Sequence, residues 1–360
     1  MKKVLFFAAT LAAVMTGCSN SEELANEQNT DRNPIGFRAV TNLGEETRAS
    51  VTDFQNLKDF RVYATYDNDV SGTAANKVDL MNGVNVTRNI GGTATGFSYA
   101  PVKYWPAGNQ PVLMYAYSPA GSVNVNSAKT TATAAATAND GGKIEIAYTV
   151  PWKDADAGAR QEDFMFATKS VLSNDYAGST HSGYEVPMVF NHILSKLTFS
   201  AVNAAGSGLT YTIKKIEVTG MGNAATYTYT YSAAATGSGS WGAPAAQTGT
   251  YEASLPGAGI AIPFTGGTAE LALTSYNEGL MILPQTSTAA NSNIKITYDL
   301  KDAEGTALVT NEVKNFLIKS KPFAPGTSYN VKMTFGSGAY NDIAFTVSTG
   351  NWSSDTGITL

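Results

Sequence analysis

Side chains able to do chemistry are few in this chain, and they are scattered. Two histidines, His181 and His192, and one cysteine, Cys18, are all that its 360 residues offer for thiol or imidazole chemistry. A structural zinc site needs about four such ligands close together, which this set cannot supply. His192 stands inside the apolar run "VPMVFNHILSKLTFSA" (186–201) and reads as a packed strand residue, while His181 sits in a Gly/Ser loop. Neither has a nucleophile motif such as G-x-S-x-G beside it. The acidic stretch "KDADAGARQED" (153–163) holds Asp154, Asp156, Glu162 and Asp163 without the ligand spacing of a calcium loop, and reads as a solvated turn. A glycoside hydrolase needs two carboxylates facing each other across a cleft, and nothing in the spacing here pairs two. The expectation is a protein with no metal, no cofactor and no catalytic site. One residue raises a different question. In "LGEETRASVTDF" (43–54), Arg48 occupies a short polar bridge between two strand-like stretches, where a protease could reach it.

The elements around that bridge begin with an export signal. Lys2 and Lys3 form a basic start, and Val4 to Met15 make an apolar run too short to span a bilayer. "MTGC" ends it at Cys18, and the stretch resembles a bacterial lipoprotein signal whose cysteine becomes the lipidated first residue. Residues 1–17 are the expected signal peptide, and losing Lys2 and Lys3 takes the net charge from −5 to −7. Ser21, Glu22 and Glu23 resemble the acidic tag that sends Bacteroidetes lipoproteins to the outer face of the outer membrane. "LANEQNTDRN" then reads as a flexible tether. With one cysteine there is no disulfide, so stability rests on packing and strand pairing. The acidic balance and the lack of any Lys/Arg cluster exclude a nucleic-acid binder.

Beyond the tether the chain breaks into short alternating runs separated by turn residues, an all-β pattern. Abundant Thr, Ser and Tyr with few charges favour sheet over helix. Ile35, Phe37 and Ala39 alternate before Arg48, and "FRVYATY" (60–66) alternates after it. "PVLMYAYSP", "KIEIAYTV" and "DFMFATKSV" follow in the first half. "TYTIKKIEVTGMG", "LMILPQ", "NIKITYDL", "EVKNFLIK" and "SYNVKMTF" are strands of the second. "NSAKTTATAAATANDGG" (126–142) has no apolar stripe and reads as a surface loop. In "TYTYTYS" the tyrosines 227, 229 and 231 share one face, which suits cross-strand packing or, less commonly, a sugar. At the carboxyl end "NDIAFTVSTGNW" alternates Ile343, Phe345 and Val347. That strand either closes the subunit's own second domain or is donated to another molecule. About 150 residues per domain suggests two, joined near residue 185.

At "NHILSKLTFS" the chain resembles the strand opening the second domain of the fimbrillin family of Bacteroidales, the fimbrial subunits and their accessory proteins. "KYWP" (103–106) and "QEDFMFA" (161–167) are similar to first-domain motifs of that family. "LMILPQ", "FAPGTSYNVKMTF" and "GNW" (350–352) are similar to second-domain ones, and "IGFRA" with "TRASVT" to its amino-terminal segment. The resemblance implies an all-β chain of two transthyretin-like β-sandwich domains in tandem, 49–185 and 186–360, preceded by a tether and removable first strand at 18–48. It implies export as a lipoprotein anchored through Cys18 in the outer membrane. An arginine-specific protease would then cut between Arg48 and Ala49, and the strand bearing Ile35, Phe37 and Ala39 would leave. The emptied groove would take a strand from another subunit, for which Ile343, Phe345 and Val347 are the candidate donor. The partners implied are other fimbrial subunits, in a pilus that serves adhesion and biofilm formation. The alternatives are an anchor or tip subunit, and a monomeric surface lipoprotein that binds glycans through its tyrosines.

Overall fold

The computed structural model describes residues 33–41, 57–67, 77–89, 96–131, 142–153, 161–177, 185–204, 208–232, 237–262, 271–272, 279–336 and 342–352. Strands in the first half are β1 Gly36–Thr41, β2 Asp59–Asp67, β3 Lys77–Arg88, β4 Phe97–Ser98, β5 Pro111–Ser118, β6 Val125–Thr131, β7 Lys143–Thr149 and β8 Met165–Leu172. One short helix, α1, covers Ser173–Ala177, and β9 follows at Glu185–His192. Then come β10 Ser195–Asn203, β11 Thr210–Met221, β12 Ala224–Thr230, β13 Ser238–Trp241, β14 Gly249–Ala253, β15 Ile260–Ile262 and β16 Leu271–Ala272. The last strands are β17 Leu280–Ile282, β18 Gln285–Thr286, β19 Asn293–Lys301, β20 Ala307–Leu317, β21 Pro322–Phe323, β22 Thr327–Phe335 and β23 Ile343–Asn351. The molecule is all-β, as its alternating sequence requires.

A seven-stranded sheet runs β1-β9-β8-β5-β2-β3-β4. Its central strand β5 is apolar almost throughout because both of its faces are covered. Val112, Met114 and Ala116 face one core, with Phe60, Val62 and Trp105. Leu113, Tyr115 and Tyr117 face a second, larger core. That second face packs on a four-stranded sheet, β13-β12-β7-β6, through aromatic pairs such as Tyr115 with Tyr229 and Phe166 with Tyr227. Two further sheets, β16-β10-β22-β23 with β17 on β10, and β14-β11-β19-β20 with β15 on β11, form a sandwich. Leu197, Phe199, Val331 and Phe335 of the first meet Tyr211, Ile216, Ile296 and Tyr298 of the second in the same core.

Strand pairing crosses the expected junction near residue 185 more than once. β9 belongs to the seven-stranded sheet, and β12 returns to pair with β7 from Ala224↔Thr149 to Thr230↔Lys143. Between β9 and β10 the chain passes from one sheet to the next at Ile193 and Leu194, both buried. The run 186–201 is therefore two strands. The stretch 126–142 departs from the expected loop, since residues 126–131 lie in β6. Among the described strands β6 is an edge strand that pairs only with β7, so it needs Val125 and Ala128 against the core and no full apolar face.

Candidate strand-exchange site

The strand-exchange hypothesis concerns two strands at sheet edges, one near each end of the chain. β1 is the first. Its alternation places Ile35, Phe37 and Ala39 in the core at 2%, 1% and 4% exposure, with Arg38 outside. The Phe37 ring meets Phe60 edge-on at 5.9 Å between centroids and Tyr99 at 5.7 Å. Phe60 in turn packs on Phe97 and Phe190. Burying each large side chain of this kind contributes roughly 1.5–3 kcal/mol.

Hydrogen bonds hold β1 on both sides. It runs parallel to β9 in register from Gly36↔Glu185 to Thr41↔Phe190. β8 pairs with β9 only at Asn191 and His192, so β1 is the described strand that ladders the rest of β9. On its other side the sheet curls back on itself. Pro34 bridges Tyr104, the Ile35 N–H donates to the Lys103 carbonyl at 2.9 Å, and the Tyr99 hydroxyl donates to the Ile35 carbonyl at 2.8 Å. Burial pushes the Tyr99 phenol from 10.0 up to about 12. Without β1, the β9 main chain and a trough lined by Phe60, Val186, Met188 and Phe190 would face water.

β23 is the second strand. It pairs antiparallel with β22 from Thr327↔Asn351 to Phe335↔Ile343 and ends its sheet. Ile343, Phe345 and Val347 point toward the sandwich interior, opposite Phe335, Met333 and Val331. Ile343 and Phe345 are only half-buried, and Val347 is 44% exposed. The Phe345 ring stacks on Phe316 of β20 at 5.2 Å. Beyond the strand, Trp352 is buried and lies flat on the His192 ring, with centroids 4.3 Å apart and planes 3° apart. Lys196 Nζ stands 5.7 Å from the Trp352 ring centroid, a cation–π geometry.

Several sequence expectations can now be located. Cys18, Arg48, Ala49, Asp154, Asp156 and His181 lie outside the described residues, with Arg48 and Ala49 in the stretch between Thr41 and Leu57. Ile35, Phe37 and Ala39 sit together in one core. Ile343, Phe345 and Val347 occupy the last strand of their own sheet. The acidic pair splits: Asp163 Oδ1 meets His192 Nδ1 at 2.8 Å, whereas Glu162 accepts from Asn124 at 3.0 Å and from Ser122. Burial holds the Glu162 carboxyl above its usual range. No group of three or more possible metal ligands occurs among the described residues. Tyr227 and Tyr229 are buried against Phe166, Tyr115 and Trp241, so their face is packing and not a sugar platform.

Sequence reasoning missed the residues that tie the sheets together. Gln161 donates to the Pro151 carbonyl at 2.8 Å and accepts from the Met281 N–H at 2.9 Å, fastening the first half to β17. Gln285 reads both the N–H and the carbonyl of Gly222. Their only sequence signal is a lone amide, among charged residues in "RQEDF" and after an apolar run in "ILPQT".

A family model described as fimbrillin-like matches residues 47–352. No curated protein matches the chain. Among solved structures, a fimbrial protein from Bacteroides vulgatus is similar at 18% identity and a TM-score of 0.59, over 89% of this chain and 99% of that one. The tip fimbrial protein Mfa3 from Porphyromonas gingivalis, with a C-terminal truncation, is 9% identical with a TM-score of 0.38, over 89% and 98%. At these identities the first likeness shows the fold, and the second carries no argument.

Proposed function

Because the chain belongs to the fimbrillin-like family, we propose that it is a structural pilus subunit that joins its neighbours by strand exchange. In this reading it is exported as a lipoprotein through Cys18 to the cell surface, cut between Arg48 and Ala49, and polymerised into a fimbrium that serves adhesion. The observation that carries the reading is β1. It is an edge strand whose apolar face is fully buried, and in sequence it joins the remaining chain only through the stretch bearing Arg48. The family match begins at residue 47, which leaves β1 outside it.

The physics of the cut follows from effective concentration. While β1 is tethered, a free strand competes with an intramolecular one held at millimolar effective concentration or above, and loses. Cutting at Arg48 removes that advantage. The trough and the bare β9 ladder then favour any strand of matching alternation. β23 has the alternation, and its half-exposed side chains make it the cheaper of the two edge strands to detach.

Mass spectrometry of the chain taken from the surface of its own bacterium tests the proposal. The expected result is a mature amino terminus at Ala49 on detergent-resistant multimers. An Arg48→Ala variant should accumulate as uncut, lipidated monomer. Multimers that retain residues 33–41 in that variant would sink the cleavage step.

A further inference from the structure

The sandwich has a second free edge that the exchange reading does not use. β20 ends its sheet, beyond β19, and among the described strands nothing pairs with its outer side. Four of the eight large hydrophobic side chains exposed among the described residues lie on β20 and β23: Leu308, Val313, Leu317 and Val347. Val313 is 40% exposed and Leu317 56%. An exposed edge of this length with apolar side chains is a template for another strand.

The register of β20 fixes which main-chain groups are available. The Ile318 N–H donates to the Ser292 carbonyl at 2.9 Å, and the pairs continue as Asn293↔Leu317, Lys295↔Asn315 and Thr297↔Val313. In an antiparallel ladder, hydrogen-bonded and non-hydrogen-bonded pairs alternate. The N–H and carbonyl groups of Val313, Asn315 and Leu317 therefore point away from β19, along the open edge. Asn311, with φ +55°, ends the regular part of the strand on the other side.

From this we infer that β20 is an isologous docking edge, and that its partner is β20 of a second copy of this chain. Antiparallel pairing centred on Asn315 sets Asn315 against itself and Val313 against Leu317 of the other copy, reciprocally. All three residues then exchange main-chain hydrogen bonds, and the apolar pair closes on the outer face. The two charges of this segment, Glu312 and Lys314, fall on the opposite face. In this register they meet Ile318 and Phe316, so no like charges stand opposite one another. Moving the two-fold centre by one residue, a two-residue slip, would set Lys314 against Lys314. Centring on Val313 instead would run the ladder into Asn311. The strand thus specifies one self-complementary register, and two five-stranded sheets become one of ten.

A single strand pair buries far less than the ~1,200 Å² at which stable association begins. Isolated copies associate only transiently through it. Copies arrayed along a fibre would present many such edges at once, and the contact would align fibres side by side. That consequence rests on the pilus-subunit reading; the pairing itself does not.

Cysteine cross-linking of the full-length, uncut chain tests the edge apart from cleavage. In a hydrogen-bonded antiparallel pair the Cα atoms lie ~5.5 Å apart, within disulfide range. Under mild oxidation Asn315→Cys should form a covalent dimer at least about tenfold faster than Thr310→Cys, an exposed residue of the same strand beyond Asn311. The parent chain, whose only cysteine is Cys18, sets the background. Adding Leu317→Lys to Asn315→Cys should return the rate to that of Thr310→Cys. Equal rates at 315 and 310, or an Asn315→Cys rate untouched by Leu317→Lys, overturn the inference. Neither result bears on cleavage at Arg48, which the mass of the mature chain reads separately.

Discussion

β1 and β23 are edge strands with the same alternation of three apolar residues, yet the molecule treats them differently. Ile35, Phe37 and Ala39 are sealed beneath Phe60, Tyr99 and Phe190, whereas Ile343 and Phe345 are half-covered and Val347 is 44% exposed. β1 is held by its side chains and is clasped by β9 on one side and the 99–104 segment on the other. β23 is held by one ladder and by Trp352 at its end. A strand of the first kind leaves only when it is severed and replaced. One of the second kind can leave by losing its ladder and one anchor.

Phe37→Ala probes the difference most strongly. Truncating a fully buried Phe costs about 3–5 kcal/mol. Urea unfolding of the uncut chain should show that loss. Fibres assembled from cut chains should be unaffected, because the proposed exchange removes β1. Fibres weakened as much as the uncut chain would mean that β1 stays in place after assembly.

Trp352→Ala comes next. The indole is buried against His192 and Lys196, and its loss should cost about 3 kcal/mol. The effect should be local. Hydrogen exchange should speed up in the amides of β23 while β10 and β11 stay protected. Uniform loss of protection would show that Trp352 belongs to the global core and does not gate β23.

Tyr99→Phe removes the hydroxyl that donates to the Ile35 carbonyl and should cost about 1–2 kcal/mol in the uncut chain. A pH signature goes with it. Burial raises the folded-state pKa of Tyr99 from 10.0 to about 12, so between those values the unfolded chain has released the proton while the folded chain retains it. Stability contributed by Tyr99 is complete below pH 10 and is lost as pH rises through about 12. The difference between parent and Tyr99→Phe should shrink over that window. A difference that stays flat would place the phenol in water.

The contrast between the two edges was only partly legible in the sequence. Alternation at 35–39 and 343–347 shows two amphipathic strands, since period two is a local property of the chain. What lies over them is not local. Phe37 meets residues 60, 99 and, through Phe60, 190, and Trp352 stacks on a histidine 160 positions earlier. The passage from β9 to β10 escaped notice because its turn is Ile193-Leu194, two buried residues with no Gly, Pro or Asn to mark it. β6 was hidden for the opposite reason: an edge strand with one neighbour carries a thin apolar stripe that looks like loop composition. The return of β12 to β7 depends on which strands have free edges, which no single stretch encodes.

The smallest effect expected comes from Val347→Thr. At 44% exposure the valine has already left much of its surface in water, so replacing one methyl by a hydroxyl should cost less than about 0.5 kcal/mol in the monomer. If β23 stays home in the fibre, the same small cost applies there. If β23 enters the trough left by β1, Val347 becomes a buried anchor, and the hydroxyl must be desolvated at about 1–3 kcal/mol. A fibre that melts as the parent does would keep β23 in its own sheet. A variant nearly silent in the monomer and costly in the fibre would mark β23 as the donated strand, because the two states differ in what covers Val347.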